Sequence, residues 1–504
     1  MKRFITFLTP INGISKFTKL FSVKKTQKII FNLLISMAVL MGCAIGPDYK
    51  RPAIDTPASW RFEEKETRDV ANTTWWEQFN DPVLNNLIQI SLNENKDLKI
   101  ASARIEKYIG QYWVTRAGFL PQISAGGSAG KSRISERGAS PLTSEVENPA
   151  ENYQASLNSM AGSWEIDVWG RLRRATEAAR ADLLSTEEGR RAVILSLVSF
   201  VSNAYINLRD LDKQLVVAEQ TVKSREGSYS LFKLRYKGGI ISLLELSQVE
   251  SEYEQTLAQI PVIMKNISQQ ENALSVLLGR NPGPIPRGKT IDELVLPPVP
   301  AGLPSDLLEQ RPDIRRAEQA LIAANARIGV ARALYFPTIT LTGLFGWSST
   351  ELTGLFNGPA QTWSWAANFT APVFTGGANI GQNIIAEAQH QEILLNYQKT
   401  IQNAFREVED ALVDQKRIRE QLETQKRQVE ALRTYARVAR LRYDNGYVSY
   451  IEVLDAERSL FNAELDYART QGALFQAFVS LYASIGGGWV TEADKMTAAA
   501  TPVK

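Results

Sequence analysis

The sequence predicts a mainly α protein with a β-barrel part, a tandem repeat in which long coiled-coil helices alternate with short strand pairs. Three observations carry this expectation. The stretch from Leu234 to Leu246 returns as Leu441 to Val453, 207 positions later, with an Arg-Tyr-x-x-Gly core in both copies. Two stretches of 67 residues, Arg171 to Lys237 and Ala378 to Asp444, contain no proline. Residues 338–347 and 363–371 alternate apolar and polar side chains, with aromatics among them. Self-similarity at a fixed period identifies a duplicated unit before any local motif is read.

Each copy of the repeated stretch reads as a sharp turn between helices. Gly238, Gly239 and Gly446 can take φ > 0, and Ser242 and Ser449 stand where they can cap the helix that follows. Glu245 and Glu452 occupy the same place in the two copies, where a solvated helix start and a functional acid are both open readings. The repeat extends further. Gly279 pairs with Gly486 at the same offset, whereas Gly118 to Pro121 matches Leu334 to Pro337 at 216, so one half carries a net insertion of nine residues.

In chain order, residues 1–42 hold seven Lys or Arg and no acid, and they end in the apolar run Ile29 to Leu40. A basic start followed by about a dozen apolar residues suits a secretory leader, since a spanning helix needs about 20. The single cysteine, Cys43, closes Leu40-Met41-Gly42-Cys43, which looks like a bacterial lipobox and makes Cys43 the expected lipidated first residue. Because the leader carries seven positive charges, the +3 of the whole chain becomes about −4 over the remainder. That balance argues against a nucleic-acid partner, which calls for a basic face.

Residues 43–82 read as an extended arm anchored by Trp60, Trp75 and Trp76. Repeat 1 spans 83–280 in the order helix, strand pair, long helix, tip, helix. A proline-rich linker, 281–304, crosses the outside of the body, repeat 2 (305–487) restarts the same order, and 488–504 is expected to be a flexible tail. In the long helices Tyr397, Ile401, Ala404, Val408 and Ala411 step by three and four, as do Ile194, Val198, Val201, Tyr205 and Leu208. That is a coiled-coil seam, interrupted in the second copy by Gln415 and Gln425. Unbroken, each 67-residue helix would be about 100 Å long. On the strands, Ile339, Leu341, Gly343, Phe345 and Trp347 share one face, the pattern of a lipid-facing barrel strand, with a small soluble hairpin sheet as the alternative reading. Four strands cannot close alone, and lipid forbids an open edge, so two chains or three are needed.

Enzyme chemistry finds no support. His390 is the sole histidine, no Cys or His cluster suits a metal, and no glycine-rich phosphate loop joins a strand to a helix. No catalytic residue, cofactor or metal is expected.

The twin Arg-Tyr-x-x-Gly tips, Glu452 to Ala456, Gly46 to Pro52 after the lipobox, Trp75-Trp76, Gln310 to Asp313 and the closing Gly486-Gly487-Gly488-Trp489 together resemble the TolC-like outer-membrane factors, specifically the NodT-type lipoproteins of RND efflux systems. The resemblance covers essentially the whole chain after the leader. It implies a homotrimer with a 12-stranded outer-membrane barrel on a periplasmic helical tunnel, lipid-anchored, docking to a periplasmic membrane-fusion adaptor and an inner-membrane RND pump. The implied function is a passive exit duct for drugs or other small toxic compounds; heavy-metal (Cu/Ag) efflux and type I protein secretion are the rival tasks for the same tube. It further implies a periplasmic gate in which Ile451 and Asp455 form apolar and acidic rings, Arg458 is a pairing arginine and Glu452 a second acid. An adaptor would meet the tips at Gly238, Gly239, Gly446, Ser242, Ser449 and Glu245.

Overall fold

The computed structural model describes residues 44–57, 59–61, 74–133, 151–299, 306–486 and 488–497. The leader and Cys43 lie outside the described residues. The helices are α1 (Pro82–Glu94), α2 (Lys96–Ala117), α3 (Arg171–Lys237), α4 (Leu243–Leu257), α5 (Gln259–Leu277), α6 (Leu307–Gln310), α7 (Pro312–Ala333), α8 (Ala378–Asp444), α9 (Tyr450–Ile485) and α10 (Trp489–Lys495). The strands are β1 (Gln122–Arg133), β2 (Glu151–Ile166), β3 (Thr338–Ser349) and β4 (Gln361–Thr370). The chain divides into a strand unit, formed around 114–177 and 325–387 with the arm up to Asp48, and a helical unit made of the rest.

The duplication holds element by element. From α2 to α7 and from β1 to β3 the offset is 216 with equal lengths, and from α3 to α8 it is 207, so the nine-residue difference falls between β1 and α3. Each copy breaks its first helix at one joint. In copy 1 Asn95 leaves the helix, caps α2 by accepting from Leu98 N (3.1 Å) and donates to Leu277 O (2.9 Å). Gly279, at φ +72°, lies so close that a Cβ there would sit 2.2 Å from Glu94 O. In copy 2 Arg311 takes the place of Asn95, with Pro312 opening α7, and it donates to Ser484 O (2.7 Å) and pairs with Asp313 and Glu407. Gly486, at φ +73°, packs on it, so the Gln310 to Asp313 motif and the closing glycine are two halves of one joint. The last hairpin arms also differ. Pro261 lacks the N–H that would continue α4 into α5, whereas Ala468 at the matching position leaves α9 unbroken.

In the strand unit the four strands form an antiparallel meander, β1-β2-β3-β4, with β1 and β4 at its edges. The register places Phe345 opposite Trp363, Gly343 opposite Trp365 and Ile339 opposite Phe369. Trp363 and Trp365 are 69% and 76% exposed, so the alternating face is an apolar exterior rather than half of a soluble core. The start of the arm is clasped here. Ile45 N donates to Trp169 O (3.0 Å), Asn325 donates to Pro47 O (2.8 Å), and the buried Arg174 pairs with Asp48 (2.6 Å) while donating to the carbonyls of Ile45 and Gly46. Gly46 is backed by Gly329, whose Cα would lie 2.5 Å from an added Cβ. The Gly46-Pro47-Asp48 motif is thus a strap locked by one arginine and a glycine pair.

In the helical unit the expected seam is buried. Ile194, Val198, Val201, Tyr205 and Leu208 join one core with Trp75, Trp76 and Phe79, and Tyr397, Ile401, Ala404, Val408 and Ala411 join a second with Trp60. Among the described residues, α3 by itself is long and apolar enough by composition to cross a membrane, but half of its most apolar stretch is buried inside the protein, as in the core helix of a folded body.

Three expectations need correction. The arm is not extended throughout, because Trp75–Phe79 forms a 3-10 turn driven by its aromatic burial. The linker does not merely cross the outside, since Ile285, Ile291 and Leu294 enter the core between its prolines. The tail is not flexible from 488: α10 buries Trp489, whose ring lies 6.0 Å from Trp75 and 5.7 Å from Trp76, and Arg190 ties it down through Asp494 and Thr497. The breaks at Gly486 and Gly488 let the chain fold back onto the aromatic core.

Gln415 takes the place held by Leu208 in copy 1. It is fully buried, and neither amide atom has a hydrogen-bond partner among the described residues. An unpaired buried amide costs about 1–3 kcal/mol. Gln415→Leu is therefore expected to raise the thermal midpoint of the purified protein by a few degrees; a lower midpoint would mean that the amide is partnered in the assembly.

Candidate functional site at the helical tips

The two tips are built by one hydrogen-bond pattern. At the end of α3, Ile240 N donates to Arg235 O (2.9 Å) and Gly239 N to Tyr236 O (2.9 Å); at the end of α8, Tyr447 N donates to Arg442 O (2.9 Å) and Gly446 N to Tyr443 O (2.9 Å). These are Schellman closures, which need a left-handed residue where Gly239 (φ +72°) and Gly446 (φ +75°) stand. Gly238 departs from the expected positive φ. It is not in the left-handed region; its counterpart is Asn445, and both still donate one turn back into their helices.

The following helices start differently. Ser242 forms a full capping box with Glu245: Glu245 N donates to Ser242 Oγ (3.3 Å), and Glu245 Oε2 accepts from Ser242 N (2.8 Å) and Oγ (2.9 Å). Glu245 is thereby a structural acid. Ser449 has the same extended backbone, but its side chain caps nothing, and Glu452 is left out of any box.

Beneath the turns, Phe232, Leu246, Val249, Tyr450, Val453 and Leu454 form a small core joining both copies. Phe232 and Tyr450 lie 4.2 Å apart, and Arg235 donates to Tyr443 Oη (2.9 Å) while covering the Phe232 ring. The Arg and the Tyr of the repeated motif thus bind each other across copies, a role that its local reading as a turn did not supply.

Beside this core lies a cavity of about 650 Å³ between α4, α8 and α9, lined by Ile451, Glu452, Asp455 and Arg458 together with Leu244, Tyr435 and Glu252. All four expected gate residues therefore meet in one place. Arg458 Nη2 donates to Asp455 Oδ1 (2.8 Å), and its Nη1 is 3.9 Å from Glu252 Oε1. Asp455 and Arg458 are each 52% exposed, so their pair contributes at most about 1 kcal/mol. Glu252 is better held. The buried Arg225 donates to its carboxylate (2.9 Å), to its backbone oxygen (2.7 Å) and to Thr256 Oγ1 (2.5 Å). Between Asp455 and Arg458 on α9, Glu457 is desolvated near Arg440 and Arg225, and its burial pushes the carboxyl above the usual carboxylate range. Sequence reasoning missed Arg225, Glu252 and Glu457. They sit among many charged helix residues, and only the fold sets them apart.

The comparisons with known proteins agree with this architecture. The model of the outer membrane efflux protein family matches residues 87–280 and 303–487, the two repeats. A probable efflux pump outer membrane protein, TtgC of Pseudomonas putida, is 35% identical over 489 residues, covering 94% of this chain and 99% of that protein. The cation efflux system protein CusC of Escherichia coli is 37% identical over 460 residues, 89% of this chain and 97% of its own. Among solved structures, CusC superposes with a TM-score of 0.79 at 36% identity over 88% of this chain and all of that one. The Campylobacter jejuni CmeC outer membrane channel reaches 0.84 at 26% identity over 90% and 99%. With both repeats matched and relatives covered nearly end to end, the chain belongs to the outer membrane efflux proteins, channels of the bacterial outer membrane, and its fold is that of a protomer giving four strands to a trimeric, twelve-stranded barrel.

Proposed function

We propose that this protein is the passive exit duct of a tripartite RND-type efflux system, a homotrimer gated where its tips converge and carrying drugs or other small toxic compounds. The observation that carries this reading is the tip cavity, in which an apolar residue, Ile451, an acid, Asp455, and its arginine, Arg458, line one space. In a trimer three copies of this set surround the axis. A ring of Asp455 carboxylates attracts cations and repels itself, and Arg458 offsets part of that charge. The names of the relatives, one for toluene, one for an antibiotic and one for cations, support a duct whose cargo is chosen by its pump. A periplasmic adaptor would grip the Schellman turns, with Glu452, left out of any capping box, available to it. Cys43 would carry the lipid, and the clasp at Ala44 to Asp48 would hold that anchor against the strand unit.

Planar-bilayer recordings of the purified trimer test the gate. The wild type is expected to conduct weakly and prefer cations, Asp455→Ala with Arg458→Ala to raise conductance several-fold, and Ile451→Ala to widen the apolar ring. A wild type already fully open, with no gain in the double variant, would remove these residues from the gate.

Gly446→Val and Gly239→Val should each strain a turn by about 1–2 kcal/mol. Efflux in a deletion strain should fall while the trimer persists on a native gel, and Gly238→Val should do less. Equal damage by all three would show that the tip tolerates no side chain anywhere.

Intact mass of the membrane-extracted protein is expected to show an N-terminus at Cys43 bearing acyl groups. An unmodified Cys43 would end the lipoprotein reading and leave the channel untouched.

A further inference from the structure

Far from the tips in sequence, the helical unit contains a second cavity, of about 380 Å³, bounded by α2, α3 and α7. Its lining includes small residues, Ala101 and Gly189, and the cations Arg104, Lys107, Arg190 and Arg316 against one acid, Asp182. The charged groups nearby are matched with care. Arg190 is buried, donates to Ser102 Oγ (3.0 Å) and Thr497 Oγ1 (2.6 Å) and pairs with Asp494. Arg191 (2.6 Å) and Arg315 (2.8 Å) share the buried Glu188. Arg104, Lys107 and Arg316 have no such carboxylate among the described residues. The Lys107 ammonium lies over the Tyr108 ring, 5.9 Å from its centroid.

Three exposed cations therefore line one hollow without an ion-pair partner among the described residues, and like charges gathered on one surface repel each other and attract anions. The hydroxyls of the wall do not relieve that repulsion, for Thr186 spends its proton on Asp182 O (2.9 Å) and Ser185 on Arg316 O (3.1 Å). Beside the Asp182 carboxylate, the cavity offers two guanidinium forks, an ammonium and the Tyr108 hydroxyl as donors. Planar forks with an added point charge match a tetrahedral oxyanion, which accepts several charge-assisted hydrogen bonds at once. The volume exceeds that of a single simple anion and leaves room for the group that bears it.

We propose that this cavity binds a phosphate group, with Arg104 and Arg316 as its bidentate partners and Lys107 as a neutralising charge. The site is separate from the gate and stands whether or not the gate residues are assigned correctly. Its phosphate could belong to a free phosphoanion or to a lipid headgroup, and two arms of one experiment separate these sources. Sodium pyrophosphate is titrated calorimetrically into the purified trimer in neutral detergent, at ionic strength held constant with sodium chloride. In parallel, the thermal midpoint is followed as phosphatidylglycerol replaces phosphatidylcholine in the micelles. Each is repeated with Arg104→Ala plus Arg316→Ala, and with Arg417→Ala as a surface-charge control. All three arginines are exposed, so the variants should remain trimeric, which gel filtration checks. Saturable pyrophosphate binding, weakened at least tenfold in the double variant alone, assigns the site to a free anion. A phosphatidylglycerol-dependent rise of the midpoint, lost in the double variant alone, assigns it to a headgroup. No response in either arm, or a response equal in wild type and double variant, overturns the proposal.

Discussion

A β-sheet in lipid cannot keep an unpaired edge, because every exposed N–H and C=O there forfeits its hydrogen bond with no water to replace it. This chain makes a four-stranded meander whose outer strands, β1 and β4, are both edges, and it covers one face of that meander with Trp363, Trp365 and Phe369. Such a sheet is unstable in water by its surface and in lipid by its edges. Only further copies of the same chain resolve both problems, and closure by symmetry explains why a protomer with so few strands can commit two 67-residue helices to the same task.

Duplication supplied the frame, and divergence supplied the site. Both copies retain the Schellman turn and the glycine joint, which are backbone requirements that few residues other than glycine meet without strain. They part where side chains are free to vary. In copy 1 the first acid of the tip helix is consumed by a capping box with Ser242, while in copy 2 the cap is absent and Glu452 lines the cavity with Asp455 and Arg458. Copy 1 seals its seam with Leu208, and copy 2 leaves Gln415 unsatisfied in the matching place. The charged tip and the less comfortable seam both belong to the second copy, so the strain and the candidate gate share one hairpin.

Much of this was legible in the sequence for identifiable reasons. Helices without proline, carrying an apolar step of three and four, have no competing structure, so α3 and α8 could be placed to the residue. The tips were legible because a left-handed residue is nearly always glycine, yet which of two adjacent glycines bears the positive φ depends on hydrogen-bond register, and Gly238 was credited along with Gly239. The tail was illegible because its composition is small and polar apart from Trp489. Its order comes from Trp75 and Trp76, about 410 positions away, and no local pattern encodes that encounter. Ile285 and Ile291 were hidden among prolines for the same reason. Of the site, Asp455 and Arg458 stand three apart on one helix face and could be paired in advance, whereas Glu252 and Arg225 meet them only through tertiary packing.

That difference in packing decides how the tip can move. The Arg225–Glu252 pair is buried on the arginine side and tied to Thr256 and a backbone oxygen, so breaking it would leave a desolvated guanidinium at a cost of several kcal/mol. The Asp455–Arg458 pair is half exposed, and the approach of Arg458 to Glu252 is long, so both can be exchanged for water at about 1 kcal/mol or less. Phe232, Tyr450 and Val453 keep the hairpins joined meanwhile. The weak link therefore lies at the outer end of α9 and the strong one within the body. A partner that offered Arg458 a better carboxylate, or Asp455 a better cation, could release the tip without unfolding the helices that carry it.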